Sequence, residues 1–171
     1  DLCGEHYAVP AVHACHLENN TCFAYMDGRR MVVYSCNQVP HTLRRNIAEA
    51  IGMPLGDVRV VKPFLGGGFG NKQDTMYEPL VALASQRLGG RCVAITLSRE
   101  ETFVNTRTRH GFDMTIAATA DEAGDLTHRG IRINSNGGSY AAHTHAVAAY
   151  AVTSNFQTYK ASAVQIGESS T

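Results

Sequence analysis

Residues 65–74 read Leu-Gly-Gly-Gly-Phe-Gly-Asn-Lys-Gln-Asp, a run of four glycines around one aromatic residue, followed by polar side chains. Glycine has no Cβ, so such a loop can adopt positive φ values and bring backbone N–H groups close to an oxygen-rich ligand. A flexible turn is the alternative, because glycine-rich turns are common. Phe69 favours a binding loop, since a linker that needs only flexibility gains nothing from a large aromatic side chain. The stretch therefore predicts a loop that holds a cofactor.

The glycine loop lies between a predicted strand and a predicted helix. Residues 57–63 alternate in hydrophobicity as a strand does, and they run directly into the loop. Residues 77–88 carry apolar side chains at helical spacing, and Gly89 and Gly90 mark the end of that helix. The candidate site is thus a strand, a glycine loop and a helix in succession.

The rest of the pattern predicts an α+β fold. The other β-rich runs are residues 21–26, 31–35, 91–97, 112–119 and 126–134. Turn residues join the first two and the last two, which is typical of antiparallel hairpins. Pro40 opens a helix that Gly52 ends. Since two helices can cover only one face of a sheet, we predict a two-layer sandwich with one mixed, largely antiparallel sheet and main helices at about 40–52 and 76–89.

The chain from Asn136 onward shows no clear terminal element. A tract of small residues at 141–151 is followed by a polar tail at 168–171. A finished domain usually closes its sheet or docks a last helix, so this ending predicts an incomplete chain.

Composition narrows the classes of function. The 171 residues, 44% hydrophobic and 18% charged, fit one globular domain or two small ones. Fifteen basic and fifteen acidic residues give a formal net charge of zero, which argues against nucleic acid and membrane surfaces as partners. No apolar run reaches the roughly 18 residues of a transmembrane helix, and a signal-peptide pattern is missing. We expect a small uncharged organic substrate and a cytoplasmic location.

A zinc site at residues 13–22 is a further alternative. His13, Cys15, His16 and Cys22 are residue types that bind zinc. The five cysteines are irregularly spaced and form no CxxC pair, so neither a zinc motif nor a disulfide framework is indicated. In an extended segment His13 and Cys15 would share one face and His16 would point to the other. Packed or surface side chains are therefore the favoured interpretation.

Three phosphate-binding motifs fail at the glycine loop. Asn71 stands where the P-loop needs its second glycine, although Lys72 follows it. The same Asn71 replaces the third glycine of the dinucleotide pattern, and the protein-kinase loop fails on spacing as well. The loop therefore indicates a ligand other than a nucleoside triphosphate.

Three motifs occur along the chain: Ser-Cys-Asn-Gln at 35–38, Gly-Gly-Gly-Phe-Gly at 66–70 with Lys72, and Leu-Ser-Arg-Glu-Glu at 97–101. Together they resemble the molybdenum-binding large subunit of the xanthine dehydrogenase and aldehyde oxidase hydroxylases. The segment at 136–140 is similar to a fourth motif of the same family, so the resemblance spans nearly the whole chain. The form Gly-Asn-Lys-Gln-Asp looks most like bacterial xanthine dehydrogenase-type subunits.

The resemblance implies a cofactor-binding role for five residues: Gln38, Gly67, Gly68, Phe69 and Gly70. Gln38 would donate a hydrogen bond to an oxo ligand of molybdenum, as a neutral amide can. Phe69 and Gly70 would pack against the cofactor with backbone N–H groups directed at metal-bound oxygen. Gln38 and Phe69 would lie near molybdenum, and no residue of the chain would coordinate the metal directly.

The resemblance also implies that Gln73 binds substrate. Xanthine oxidases of the family carry glutamate at this position, whereas glutamine cannot ionise and both donates and accepts hydrogen bonds. An N-heterocycle, with a xanthine- or hypoxanthine-like purine first, is the implied substrate. Oxidation of nicotinate or an aldehyde is the alternative.

The resemblance to the family implies that the complete enzyme contains further domains, subunits and cofactors. Residues 1–171 would be a partial molybdopterin-binding domain, the N-terminal part of a larger catalytic subunit, inactive alone because the family's glutamate base has no match here. The implied cofactor is molybdenum-molybdopterin, in its dinucleotide form in bacteria. The expected partners are the remainder of the molybdenum subunit and iron–sulfur and FAD subunits, since the chain has no iron–sulfur cysteine pattern. A non-catalytic binding or assembly domain on a degenerate hydroxylase scaffold is the second hypothesis.

Overall fold

The computed structural model describes residues 3–138, 143–159, 161 and 163–170. These residues form two four-stranded sheets within two units, one made of residues 13–107 and the other of residues 1–12 with 108–171. Each unit combines helices with a mostly antiparallel sheet, so the predicted α+β class is confirmed. The structure adds a second sheet to the single one that was predicted.

The unit of residues 13–107 contains a sheet in the order β4-β3-β2-β5. Its strands are β2 (Thr21–Asp27), β3 (Arg30–Ser35), β4 (Val58–Val61) and β5 (Val93–Thr96). β2 pairs antiparallel with both β3 and β5, whereas β3 and β4 are parallel. The predicted hairpin is confirmed, with Asp27 opposite Arg30.

Three helices belong to the same unit: α1 (Pro40–Ile51), α2 (Glu78–Arg87) and α3 (Arg99–Asn105). A short 3-10 turn at Leu55–Asp57 precedes β4. α1 and α2 confirm the two predicted helices, and Gly52 ends α1 in the left-handed conformation at φ 68°. α3 was not predicted, although Ser98 and Glu101 form a capping box, which is a local signal for a helix start.

An apolar core joins α1 and α2 to this sheet. Leu43 and Ile47 of α1 are fully buried together with Met31 and Val33 of β3, and Val81 of α2 completes the contact. Burial of one such side chain stabilises the fold by roughly 1.5–3 kcal/mol. The glycine loop leaves this core at the end of β4.

The unit of residues 1–12 and 108–171 has a sheet in the order β1-β6-β7-β8. Its elements are β1 (Cys3–Val9), β6 (Gly111–Ala120), β7 (Leu126–Asn136), α4 (Thr144–Thr158) and β8 (Ala163–Ser170). The β6–β7 hairpin was predicted, whereas β1 was not. Ile131, Ile133 and Val152 form a small core between β7 and α4.

The expectation that no terminal element follows Asn136 was wrong. α4 and β8 occupy most of that segment, and β8 pairs in parallel with β7. α4 mixes apolar and polar residues without separating them onto two faces, so its sequence lacks the usual amphipathic signal. Ser139 and Tyr140 of the fourth motif, residues 141 and 142 of the small-residue tract, and Thr171 lie outside the described residues.

None of the helices in the described ranges has the length and apolar composition of a membrane-spanning segment. The cytoplasmic location stays a prediction.

Candidate functional site

The glycine loop connects β4 to α2 and has three backbone positions in the left-handed region. Gly67 and Gly70 have φ values of 97° and 86°, and Phe69 between them has φ 51°. A phenylalanine at positive φ is uncommon and is retained only where surrounding contacts fix the backbone. The Phe69 side chain is 78% exposed, so it contributes little to the core.

The side chain of Gln38 fixes the centre of the loop. Its Oε1 accepts hydrogen bonds from the N–H groups of Gly70 and Lys72, each at 3.1 Å. Its own backbone N–H donates to the carbonyl of Lys72 at 2.7 Å. A Cβ on Gly68 would lie 2.6 Å from Gln38 Oε1, so any larger residue at that position would displace the Gln38 amide. Among the described residues, none accepts a hydrogen bond from the Gln38 amide nitrogen, which leaves two donor hydrogens available.

Glu18 holds the first part of the loop. Its backbone N–H donates to the carbonyl of Gly66 at 3.1 Å, and its carboxylate accepts from the Gly66 N–H at 3.1 Å. The same carboxylate oxygen lies 2.6 Å from the ammonium of Lys72, whose side chain is 1% exposed. The charge of the buried Lys72 is therefore paired with a carboxylate of the chain.

Asp74 and Arg107 hold the last part of the loop. Both oxygens of the Asp74 carboxylate accept from the Arg107 guanidinium, and one of these contacts measures 2.6 Å. The Asn37 side-chain amide donates to the carbonyl of Asp74 at 2.8 Å, and the buried Asn71 donates to the carbonyl of Arg107. A planar fork of this kind gives geometric specificity as well as energy.

Gln73 lies between the two fixed residues Lys72 and Asp74. Its side chain is half-buried and forms no hydrogen bond with any residue that the structure describes. The amide is therefore available to a ligand.

The motif at 97–101 positions a neighbouring segment. Ser98 and Glu101 cap α3, and the Arg99 guanidinium donates to the carbonyls of His16 and Leu17 at 2.9 Å each. Since Glu18 follows directly, this motif fixes the residue that contacts the start of the glycine loop.

The zinc alternative finds no support. The described residues contain no group of three His, Cys, Asp or Glu side chains that could hold a metal ion. The His13 ring contacts the Thr106 hydroxyl at 2.9 Å, and the buried His16 contacts the carbonyl of Glu18 at 2.6 Å. Cys15 is exposed, whereas burial raises the pKa of Cys22 to about 12, with Glu78 and Cys36 acting in the same direction.

Of the predicted site residues, the structure brings together Gln38, Gly68 and Gly70 through direct contact. The N–H of Gly70 donates to Gln38 in this structure, and the cofactor-binding role of Gly70 stays a prediction. Sequence reasoning missed Glu18 and Arg107. Each lies far along the chain from its partner in the loop, by 54 and 33 residues respectively, and no local pattern signals such pairs.

Comparisons with known proteins agree with this geometry. The family model for the molybdopterin cofactor-binding domain matches residues 2–169. The xanthine dehydrogenase molybdenum-binding subunit of Escherichia coli O157:H7 is 42% identical over 144 residues, which covers 84% of this chain and 19% of that protein. The chain thus spans about a fifth of the length of such relatives.

Solved structures share the fold. Quinoline 2-oxidoreductase from Pseudomonas putida 86 matches 99% of this chain and 22% of its own, with a TM-score of 0.80 and 25% identity. Aldehyde oxidoreductase from Desulfovibrio gigas matches 86% of this chain and 16% of its own, with a TM-score of 0.78 and 22% identity. The resemblance noted in the sequence is confirmed. The chain belongs to the molybdopterin cofactor-binding domain family of the molybdenum hydroxylases, which includes xanthine dehydrogenases and aldehyde oxidoreductases.

Proposed function

We propose that this chain forms one wall of the molybdopterin pocket in a larger catalytic subunit. The observation that carries the proposal is the orientation of Gln38. Two backbone N–H groups hold its Oε1, and both hydrogens of its amide nitrogen remain available among the described residues. A fixed neutral donor suits an oxygen that carries negative charge.

The residues of the loop fit such a cofactor. Gly68 allows the backbone to approach Gln38 more closely than any other residue could. Phe69 offers an exposed ring on a backbone held at positive φ, which suits contact with a planar ligand. The bound cofactor supplies the redox chemistry of substrate hydroxylation, while Gln38, Phe69 and the glycines bind and orient it. Gly67 completes the cradle, and none of these residues is proposed to coordinate the metal.

Gln73 is the proposed substrate contact. Its unpaired amide can donate to one ring atom of a heterocycle and accept from another. A xanthine- or hypoxanthine-like purine fits best, because the related E. coli protein is named for xanthine and the Pseudomonas enzyme for quinoline. An aldehyde offers fewer groups for an amide to recognise, although aldehyde oxidoreductases share the fold.

The remaining catalytic groups lie outside residues 1–171 in this proposal. They are the catalytic base in the rest of the molybdenum subunit, and iron–sulfur and FAD centres on partner domains or subunits. The dinucleotide form of molybdopterin is the proposed cofactor. The 171-residue chain alone is expected to be inactive.

The test is Gln38→Glu in the complete subunit. Glutamate can still accept from the N–H groups of Gly70 and Lys72 but cannot donate as the amide does. We expect xanthine turnover to fall roughly 10²-fold while molybdenum and pterin contents stay unchanged. Metal analysis, pterin fluorescence and steady-state kinetics measure these quantities.

Gln86→Glu is the matched control, because Gln86 lies on α2 and its side chain makes one long hydrogen bond within the described part of the chain, to the carbonyl of Ile51 at 3.5 Å. Equal turnover in the two variants would contradict the role of Gln38. A native subunit without molybdenum or pterin would overturn the proposed function itself, and faster turnover of aldehydes than of purines would overturn the substrate class.

A further inference from the structure

A basic groove lies between the beginning of α1 and strand β4, and its lining includes no residue of the glycine loop. It has a volume of about 360 Å³. Its basic lining residues are Arg30, His41, Arg44, Arg59 and Lys62.

The charge of this basic groove contrasts with that of the whole chain. The sequence has equal numbers of acidic and basic residues, yet the lining contains no aspartate or glutamate. Asp57 is adjacent in sequence to two lining residues, but it pairs with Arg29 outside the groove at 3.4 Å. Concave surfaces lined by one sign of charge concentrate counter-ions, so the groove favours an anion.

Arg44 is held in place before any ligand binds. Its Nε donates to the carbonyl of Val58 at 2.7 Å and its Nη2 donates to the carbonyl of Leu55 at 2.6 Å. The third nitrogen, Nη1, has no hydrogen-bond partner among the described residues. A guanidinium fixed in this way loses little side-chain entropy when it binds an anion.

We propose that the basic groove binds a phosphate-bearing small molecule through its pyrophosphate or phosphate group. Several guanidinium groups and one ammonium match a multiply charged tetrahedral anion better than a single carboxylate. The volume lies within the range of about 300–1,000 Å³ that small-molecule sites occupy. The lining residues differ from those proposed for the molybdopterin pocket, and the buried Lys72 of the glycine loop is already paired with Glu18.

The test measures binding of inorganic pyrophosphate, inorganic phosphate and a nucleoside diphosphate to the full-length protein. Isothermal titration calorimetry in chloride buffer at constant ionic strength gives the dissociation constants. We expect saturable binding of pyrophosphate at one site, weakened at least about tenfold in the double variant R59Q/K62Q. Both side chains are exposed and make no hydrogen bond to the described residues, so the fold is expected to persist.

The double variant R45Q/R87Q is the control, because it removes the same charge from exposed positions outside the groove. Its pyrophosphate affinity is expected to stay within about twofold of the wild type. Two results would support the proposal. Equal affinity for pyrophosphate and the nucleoside diphosphate would show that the groove recognises the phosphates alone. Tighter binding of the nucleoside diphosphate would show that the groove also contacts the nucleoside.

Three results would overturn it. The first is no saturable binding to the wild type, including the case in which another part of the full-length protein covers the groove. The second is an equal loss of affinity in both double variants, which would indicate general charge attraction. The third is tighter binding of duplex DNA than of pyrophosphate at the same ionic strength, which would make the ligand a polyanionic macromolecule.

Discussion

The apolar core and the glycine loop of residues 13–107 are held together by different interactions. The core packs aliphatic side chains of α1, α2 and β3, such as Ile47 and Val33, with no polar partner required. The loop is held by hydrogen bonds and ion pairs to Gln38, Glu18 and Arg107. Apolar packing tolerates small shifts of the packed side chains, whereas hydrogen bonds and ion pairs fix the positions of individual atoms. We therefore expect the larger losses of stability from substitutions in the core, and changes in the geometry of the site from substitutions in the loop.

The largest expected effect on stability comes from the core. Ile47→Ala removes a fully buried side chain, so the free energy of unfolding should fall by about 3 kcal/mol. Urea unfolding measures this loss. Leu80→Ala on α2 is the control, since that side chain is 63% exposed and should cost less than about 1 kcal/mol. A comparable loss in both variants would contradict the assignment of stability to the core.

Lys72→Met tests the ion pair between Lys72 of the glycine loop and Glu18. The substitution leaves the Glu18 carboxylate without its partner, but that side chain is 28% exposed, so water compensates in part. We expect a loss of about 2 kcal/mol by urea unfolding, and partial recovery in the double variant with Glu18→Gln. Lys62→Met at an exposed site is the control and should change stability by under about 0.5 kcal/mol. If the double variant recovers no stability, loss of the Lys72–Glu18 ion pair is not the cause of the destabilisation in Lys72→Met.

Gly68→Ala tests the geometry of the loop with a smaller effect on stability. The new methyl group would lie 2.6 Å from Gln38 Oε1, so the amide must move. We expect a loss of about 1–2 kcal/mol and lower molybdenum content in the complete subunit. Gly56→Ala has open space around its Cβ and should leave both quantities unchanged. Normal molybdenum content in Gly68→Ala would show that the close approach of Gly68 to Gln38 is not needed for cofactor binding.

The smallest expected effect concerns pH. Burial lowers the pKa of His13 below its ordinary value of 6.5, and the charges of His16 and Arg99 act in the same direction. The folded state therefore binds this proton less readily than the unfolded state, so stability should fall as the pH drops below 6.5. The backbone N–H of Cys15 donates to His13 Nδ1, and protonation of that nitrogen would break the contact.

Unfolding measured at about pH 7.5 and about pH 5.5 should show a weaker pH dependence in His13→Gln than in the wild type. Thr42→Gln, a substitution at an exposed position that does not titrate, should retain the wild-type dependence. An unchanged dependence in His13→Gln would remove His13 as its source.

Much of the fold follows from local sequence signals. The β2–β3 hairpin has turn residues at 28–29, and α1 has proline at its start and glycine after its end, so short segments specify both. α4 lacks an amphipathic pattern, and β8 depends on pairing with β7, so neither could be identified locally. The helix and strand propensities of single residues are weak guides where tertiary contacts determine the secondary structure.

The candidate site likewise contains residues that the sequence identifies and residues that only the fold identifies. The glycine loop and Gln38 stand out in the sequence because their residue types are unusual and their motifs resemble a family. Glu18 and Arg107 are ordinary charged residues whose importance depends on partners far along the chain. A single sequence contains no signal for such pairs, since the fold alone brings them together.

Strand β2 also implies an order of events during folding. Its hairpin with β3 closes through a short turn, whereas its contact with β5 joins Thr21 to Thr96, which are 75 residues apart. Short closures form within microseconds, and longer ones cost more chain entropy. We therefore expect the hairpin to form early. Residues 65–74 lie inside the longer closure, so the glycine loop should reach its final conformation only after β5 has joined the sheet.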